Sequence, residues 1–163
     1  MAIEWVDIKE KGNALVESWL SDADKRNLCM TEKGWGQTAA DIEDCLKHMK
    51  GSAFKNLMVF RDGEPVCAMM FGIESGGVLN LYNITVNPEF RGQGMTAGVI
   101  SFLLRNIGTL SFGKPYEKVK VSTIPENKGM QRILDKLGFA NLGFNGDYVV
   151  FENSRNKELT QNF

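Results

Sequence analysis

The sequence predicts a mixed α/β fold built around one twisted, mostly antiparallel sheet of about six or seven strands. Three apolar segments at 57–60, 65–73 and 78–86 follow one another with only short turn signals between them. Such tight connections are typical of antiparallel neighbours. Apolar residues at helical spacing then separate 78–86 from an alternating segment at 118–122, and a helical connection is typical of parallel neighbours.

The chain before these strands predicts one strand and two helices. Apolar residues alternate at its start, and they recur at helical spacing around Val16 and again around Leu46. Thr38 is a candidate N-cap for the second helix. The predicted elements are a strand at 3–8, a helix at 13–20, an irregular segment at 21–37 and a helix at 39–49. This arrangement puts Trp35 in a loop near a cleft.

Turn residues delimit the remaining elements. Arg61-Asp62-Gly63-Glu64 predicts a hairpin, and Gly76-Gly77 predicts the next turn. Asn127 begins a helix that ends at Lys136, because Gly138 suits the left-handed position after a helix. The last predicted elements are strands at 139–142 and 148–151, joined across Asn145-Gly146-Asp147.

Length and composition predict a single domain over residues 1–152, followed by a polar C-terminal tail at 153–163. The chain is 43% hydrophobic and 24% charged, with a net charge of −1. This balance excludes the basic surface of a nucleic-acid-binding protein, and no apolar run is long enough for a membrane span. The start of the chain does not have the pattern of a signal peptide. The three widely spaced cysteines predict reduced thiols and a cytoplasmic protein.

The segment from Leu81 to Ile100 combines a strand, a glycine-rich loop and a helix start. Asn87-Pro88 ends the strand, because proline has no N–H for the sheet. The loop Arg91-Gly92-Gln93-Gly94 brings adaptable backbone and a cation to the start of a helix predicted over 96–107. Free N–H groups at a helix start bind anions, so the segment predicts a pyrophosphate site.

Other interpretations of this loop exist. A plain connection between a strand and a helix is one of them. Gly92, Gly94 and Ala97 also fit the spacing G-x-G-x-x-G/A of dinucleotide-binding proteins. That motif belongs directly after its strand, whereas 87–91 intervene here, and no acidic residue ends the next strand to hold a ribose. A P-loop is excluded because Gly-Lys-Ser/Thr is missing.

Two segments resemble the GNAT superfamily of N-acetyltransferases. Val86-Asn87-Pro88-Glu89-Phe90 and the following Arg91-Gly92-Gln93-Gly94-Met95-Thr96 resemble its acyl-CoA pyrophosphate loop, Gln/Arg-x-x-Gly-x-Gly/Ala. The strand 119–122, Asn127 and Lys136-Leu137-Gly138-Phe139 resemble a second family segment, in the right order. The resemblance covers roughly residues 57–151. It implies the GNAT fold, a twisted, mostly antiparallel sheet with helices on both faces, in which the N-terminal helices carry acceptor specificity.

The resemblance also implies a site for acetyl-CoA as a co-substrate. In the family, the two strands beside the cofactor diverge, often with a bulge in the first, and the pantetheine arm bonds to the backbone between them. The pyrophosphate lies on the N–H groups of the loop, and the asparagine reaches the pantetheine or the thioester. The implied cofactor-binding residues are Ile84, Thr85, Val86, Arg91, Gly92, Gln93, Gly94, Met95, Thr96 and Asn127.

The usual catalytic positions of the family are not filled here. Many members have a tyrosine as general acid where this chain has Leu134, on an apolar stripe. The stretch 78–81 has no carboxylate for a general base, and Glu74 is the nearest acid in sequence. Tyr82 is the candidate catalytic residue, lining the acceptor cleft and relaying a proton through water. Thr96 also replaces the last glycine of the loop.

The predicted function is direct transfer of an acetyl group from acetyl-CoA to a primary amine in a ternary complex. The neutral amine attacks the thioester while a backbone N–H stabilises the oxyanion. This chemistry needs neither a metal nor a nucleophilic cysteine, so Cys67 is interpreted as a core residue and His48 as a solvated one.

The partner implied by the resemblance is an amine-bearing small molecule or a protein or peptide acceptor, and homodimers are common in the family. No nucleic acid or membrane partner is expected. The alternative is a catalytically degenerate GNAT-fold protein that binds CoA or a protein partner as a regulatory or interaction module.

Overall fold

The structure is a computed structural model and describes residues 2–30, 33–49, 52–74, 77–106 and 117–154. In chain order its elements are β1 (Ile3–Asp7), α1 (Glu10–Trp19), α2 (Asp22–Asn27), α3 (Trp35–Lys47), β2 (Ala53–Arg61), β3 (Glu64–Glu74), β4 (Val78–Val86), a 3-10 turn (Pro88–Phe90), α4 (Met95–Asn106), β5 (Lys118–Thr123), α5 (Lys128–Lys136), β6 (Ala140–Asn145) and β7 (Tyr148–Ser154). The predicted turn residue Gly76, the predicted helix end at Ile107 and the tail from 155 onward lie outside the described residues.

The strands form one 7-stranded sheet in the order β1-β2-β3-β4-β5-β7-β6. Neighbouring strands are antiparallel except for β4 and β5, because α4 returns the chain to the end of the sheet at which β4 began. The hairpin between β2 and β3 turns at Asp62 and Gly63, whose φ angles of 51° and 82° suit a two-residue turn. The strand number and the mostly antiparallel sheet predicted from the sequence are confirmed.

Helices cover both faces of this sheet. On one face, α4 and α5 pack through residues such as Leu103 and Leu134 onto the larger core. On the other face, α1 and α3 pack through Val16 and Trp35 against Met70 and its neighbours. Each of these four helices thus buries one apolar stripe against the sheet, so that the sheet lies between two packed layers.

The prediction that 21–37 is irregular was wrong. The segment contains α2, which begins with a reciprocal capping box: the Ser21 N–H donates to Asp24 Oδ2 at 2.9 Å, and the Asp24 N–H donates to Ser21 Oγ at 3.1 Å. A helix of 6 residues is too short to show an apolar stripe, so periodicity alone did not reveal it.

The predicted start of α3 was also wrong. The helix begins at Trp35, and the Thr38 hydroxyl donates to the Gly34 carbonyl at 2.9 Å instead of capping a later start. The cap comes from α1, where the Glu17 carboxylate accepts the Trp35 N–H at 2.7 Å. This partner lies 18 residues away in sequence, so no local pattern reveals it.

Trp35 is a core residue and not part of a loop near a cleft. Its side chain is 0% exposed, and its indole N–H donates to Asn56 Oδ1 at 2.9 Å. The Asn56 amide in turn donates to Asn13 on α1 at 3.2 Å. This chain of hydrogen bonds satisfies the polar atom of a large buried side chain and fixes α1 and α3 relative to β2.

The remaining sequence-based expectations concern cysteines, membrane spans and the tail. Cys29 and Cys45 are exposed, Cys67 is buried, and all three are free thiols. Burial raises the pKa of the Cys67 thiol, which suits its interpretation as core.

Within the described ranges, no helix has the length and apolar character needed to cross a membrane. β7 extends to Ser154, beyond the predicted start of the tail, and Asn153 is buried.

Candidate active site

β4 and β5 lie side by side for only part of their length. Their register joins Val78 to Lys118, Leu79 to Val119 and Asn80 to Lys120, and it ends there. From Leu81 onward, the sheet partner of β4 among the described residues is β3 alone. One edge of β4 therefore faces a gap, in which its peptide groups are available to a ligand.

A β-bulge lies where the two strands diverge. Met70 of β3 pairs with Asn83, and Phe71 pairs with Leu81, so Tyr82 is the extra residue of β4. A bulge bends its strand and increases the local twist. The opening between β4 and β5 is thus built into β4 itself.

The glycine loop opens directly onto the N-terminus of α4. Among the described residues, none of the backbone N–H groups from Gly92 to Ala97 has a hydrogen-bond partner. Gly92 and Gly94 have φ angles of 77° and 71°, and a Cβ added at either would meet no atom within 4 Å. The loop therefore presents a row of free donors at the positive end of the helix dipole, which is an anion site.

Arg91 fastens this loop to the rest of the protein. Its Nε donates to the Val86 carbonyl at 3.0 Å, its Nη1 contacts Asp24 Oδ2 at 3.1 Å, and its Nη2 donates to the Trp19 carbonyl at 3.1 Å. Burial opposes ionisation of Asp24, but hydrogen bonds from Ser21 and the adjacent guanidinium together lower its pKa. Arg91 thus positions the loop, with its guanidinium directed at protein acceptors.

A cavity of about 440 Å³ lies between the loop, the free edge of β4 and α5. Nearly all of the predicted cofactor residues line it: Ile84, Thr85, Val86, Arg91, Gly92, Gly94, Met95, Thr96 and Asn127. Gln93 does not, and instead lines a different cavity with Trp5 and Arg105. The structure adds lining residues that the sequence did not suggest, namely Asp24, Asn27, Leu28 and Lys136.

A second cavity of about 350 Å³ lies beside the first, on the side of the sheet covered by α3. Its walls come from β4, β5, the end of α2, and α3, and they include Tyr82, Asn80 and Lys120. The two cavities share Asn27, Leu28, Ile84, Asn127 and Met130. The cavities therefore meet at the gap between β4 and β5.

Tyr82 and Glu74 form a hydrogen-bonded pair at the second cavity. The Tyr82 hydroxyl lies 3.1 Å from Glu74 Oε1 and donates to it. Burial, followed by the negative charge of Glu74, raises the pKa of Tyr82, although the nearby Asn80 amide acts in the opposite direction. Tyr82 is thus neutral at physiological pH, and Glu74, the acid nearest in sequence to the 78–81 stretch, is its hydrogen-bond acceptor.

Comparison with solved structures identifies the architecture. The spermidine N-acetyltransferase of Vibrio cholerae, solved with CoA and spermine, matches with a TM-score of 0.69 at 12% identity, over 94% of this chain and 95% of that chain. An aminoglycoside acetyltransferase solved with coenzyme A gives a TM-score of 0.68 at 17% identity, over 94% and 95%. A GNAT-family acetyltransferase from Staphylococcus aureus gives 0.66 at 10% identity, over 94% and 99%. The protein has the GNAT fold.

At these identities the likeness establishes the GNAT fold alone. No protein-family model matches the sequence, and no curated protein matches it significantly. The resemblance noted in the 86–96 loop and in the 119–139 segment therefore agrees with the architecture, while the chemistry has to be argued from the residues of this chain.

Leu134, at the position where the resemblance leads us to expect a tyrosine, is 0% exposed in the larger core. The residues from α2 that line the first cavity were missed because α2 itself was missed. The pair Ser21 and Asp24, three positions apart, is the sequence signal that predicts its start.

Proposed function

We propose that the protein is an N-acetyltransferase that moves an acetyl group from acetyl-CoA to a primary amine within a ternary complex. The observation that carries this proposal is the row of unpartnered N–H groups from Gly92 to Ala97, next to the free edge of β4. A flexible anionic cofactor needs donors for its pyrophosphate and a strand edge for its pantetheine amides. Both features border the same cavity.

In this proposal the backbone does most of the binding. The loop from Gly92 to Thr96 holds the pyrophosphate, and Gln93 contributes its N–H group but not its side chain. Ile84, Thr85 and Val86 offer the strand edge to the pantetheine arm. Arg91 contributes by holding the loop in place.

Asn127 has a double role in the proposed site. Its Oδ1 accepts the Met130 N–H at 3.2 Å and so caps α5. This bond fixes the rotamer of a side chain that lines both cavities, and it leaves the amide nitrogen as a donor. The donor is then directed to the pantetheine or to the thioester end, where the two substrates meet.

Bound acetyl-CoA supplies an activated acetyl thioester. The residues of the second cavity, which is the acceptor cavity in this proposal, hold the amine and remove its proton. Tyr82 is a relay in this proposal: its oxygen takes the amine proton while its own proton passes to Glu74, to which it is already hydrogen bonded. The raised pKa of Tyr82 means that the hydroxyl, not a tyrosinate, takes part. Glu74 is the final acceptor of the amine proton. As the amine nitrogen bonds to the acyl carbon, the thioester C–S bond breaks, and the thiolate that leaves takes a proton from water.

Calorimetry with acetyl-CoA tests the cofactor site. We expect saturable binding to the unmodified chain and none to Gly94→Trp, which fills the space above the loop. Gly63→Trp is the matched control, because Gly63 also has a positive φ (82°) and open surroundings but lies in the β2–β3 hairpin. Failure to bind millimolar acetyl-CoA, or equal binding by both variants, would overturn the proposed cofactor site.

Release of free thiol from acetyl-CoA, measured across primary amines, peptides and aminoglycosides, then tests the transfer. Amine-dependent release above the rate of hydrolysis supports an enzyme. Acetyl-CoA binding without release for any amine would replace this proposal with that of a CoA-binding regulatory module.

A further inference from the structure

The charged side chains of the acceptor cavity indicate which class of amine it can bind. Of the described side chains that line it, Lys120 is the only one that carries a formal charge, and no aspartate or glutamate is among them. The polar remainder consists mainly of amides and hydroxyls, including Asn27, Asn80, Asn83 and Tyr82. A site that binds a second ammonium group of its acceptor needs a carboxylate to pair with it, because a charge removed from water must be compensated. The described wall of this cavity offers none.

Two carboxylates on the neighbouring strands β3 and β7 are already engaged. Glu74 accepts the hydrogen bond from Tyr82 at 3.1 Å. Glu152 lies opposite Lys120 in the β5–β7 register, but its Oε1 contacts the Nζ of Lys118 at 3.6 Å. Lys118, Lys120 and Glu152 lie on one face of the sheet and together carry one excess positive charge. Lys120 has no ion-pair partner among the described residues.

A second donor lies next to Lys120. Asn80 is its neighbour in the β4–β5 register, and its amide acts as a hydrogen-bond donor toward the Tyr82 oxygen. The last β4–β5 pair before the gap thus combines an ammonium group with an amide donor, and both belong to the wall of the acceptor cavity.

We infer that the acceptor is a small primary amine that also carries an anionic group, a carboxylate or a phosphate, recognised by Lys120 at the last β4–β5 pair. This inference rests on the proposed function and names its substrate class. The cavity of about 350 Å³ suits a small molecule. The amine then points toward the gap between the strands, while the anionic group stays on the Lys120 side.

A matched series of three-carbon acceptors tests the inference, with thiol release measured for 3-aminopropanoate, 3-aminopropylphosphonate, 3-aminopropanol and 1,3-diaminopropane. Rates are compared per concentration of neutral amine. We expect kcat/KM for at least one anionic acceptor to exceed that for the diamine by about tenfold or more, the effect of one charge-assisted hydrogen bond. The better of the two anionic acceptors distinguishes a carboxylate from a phosphate.

Variants at Lys120 test the residue itself. Lys120→Met is expected to reduce the preference for the anion to about threefold or less, and Lys120→Glu to reverse it in favour of the diamine. Lys118→Met is the matched control, since Lys118 belongs to the same strand and face but does not line the cavity. In this variant the ratio of kcat/KM for the anionic acceptor to that for the diamine is expected to stay unchanged. Acetyl-CoA affinity is expected to stay within about twofold in all three variants.

The possible failures are distinguishable. If the unmodified chain does not bind acetyl-CoA, the proposed function itself is wrong. If acetyl-CoA binds but neither anionic amine is acetylated, the inference is overturned while the cofactor site stands. The same holds if the preference for the anionic amine remains in Lys120→Glu.

Discussion

Arg91 Nη1 and Asp24 Oδ2 lie 3.1 Å apart and join the glycine loop to the first turn of α2. The same guanidinium donates to the carbonyls of Val86 and Trp19, so one side chain connects the end of β4, the end of α1 and α2. A loop that binds phosphate through its backbone must be held in one conformation, because ordering it on binding would weaken the affinity. The ion pair provides that order in advance.

The substitution Asp24→Asn distinguishes two possible roles of Arg91, because they predict opposite changes in the affinity for acetyl-CoA. If Arg91 positions the loop, Asp24→Asn weakens acetyl-CoA binding by about three- to tenfold through loss of the tether. If instead Arg91 binds the pyrophosphate and Asp24 competes for it, the same substitution tightens binding. We expect the weaker affinity in calorimetry, with Asp22→Asn, an exposed acid in the same helix turn, as the unchanged control.

The pair Tyr82 and Glu74 is expected to act as a unit in proton removal. Tyr82→Phe and Glu74→Gln should each lower kcat by about ten- to a hundredfold, and the double variant should be no slower than the worse single variant. Acetyl-CoA affinity should not change in either. If the two reductions in kcat multiply in the double variant, or if the substitutions change only KM, the relay is excluded.

Glu17 is expected to make stability depend on pH. Burial opposes its ionisation, but hydrogen bonds from Lys25 and from the Trp35 N–H lower the pKa of Glu17 below its ordinary value of 4.5. Because the folded-state pKa is the lower one, the stabilisation is present above about pH 4.5 and is lost as the pH falls through the folded-state value.

Glu17→Gln should therefore lower the free energy of unfolding by about 1 kcal/mol at pH 7, the usual cost of losing a helix cap. The difference from the unmodified chain should shrink at pH 3.5. Urea unfolding at both pH values measures it. Glu10→Gln, at an exposed position on the same helix, is the matched control, and a Glu17→Gln difference that stays constant with pH would contradict the assigned role.

Lys136 is expected to add a salt-dependent contribution to cofactor affinity. It lines the cofactor cavity at the end of α5 and makes no ion pair with a described residue. Lys136→Ala should weaken binding of acetyl-CoA about fivefold at low salt and less at high salt. Acetyl-pantetheine, which lacks the phosphates, should bind equally to the unmodified chain and to this variant. Lys128→Ala, at the other end of α5, is the control; equal effects of the two substitutions would indicate a general change in net charge.

The end of β4, the glycine loop and the start of α5 were predictable from the sequence because their signals are local. Asn87-Pro88 ends β4 next to the glycines, and Asn127 caps α5 directly through the Met130 N–H. The turn at Asp62 and Gly63 likewise needs only its own residues. Each of these features depends on neighbours within a few positions, and such patterns can be read from a single chain.

The contacts that join distant segments were not predictable. Arg91 bonds to Asp24 across 67 residues, and Glu17 caps a helix that begins 18 residues later. The 21–37 segment was predicted wrongly for another reason: α2 has no apolar stripe, and its local signal is the pair Ser21 and Asp24. The role of Lys120 depends on which strand ends face the gap, and only the register of β4 and β5 determines that.

Tyr82 is an insertion within an otherwise regular strand. Leu79 and Leu81 before it, and Ile84 and Val86 after it, all lie in the larger core. With Tyr82 removed, these four side chains would alternate without interruption, and β4 would match β3 residue for residue. A chain shortened by this one residue should therefore hold β4 straight against β5 and close the gap. The gap between the two strands is thus a departure from regular pairing, kept by one additional residue.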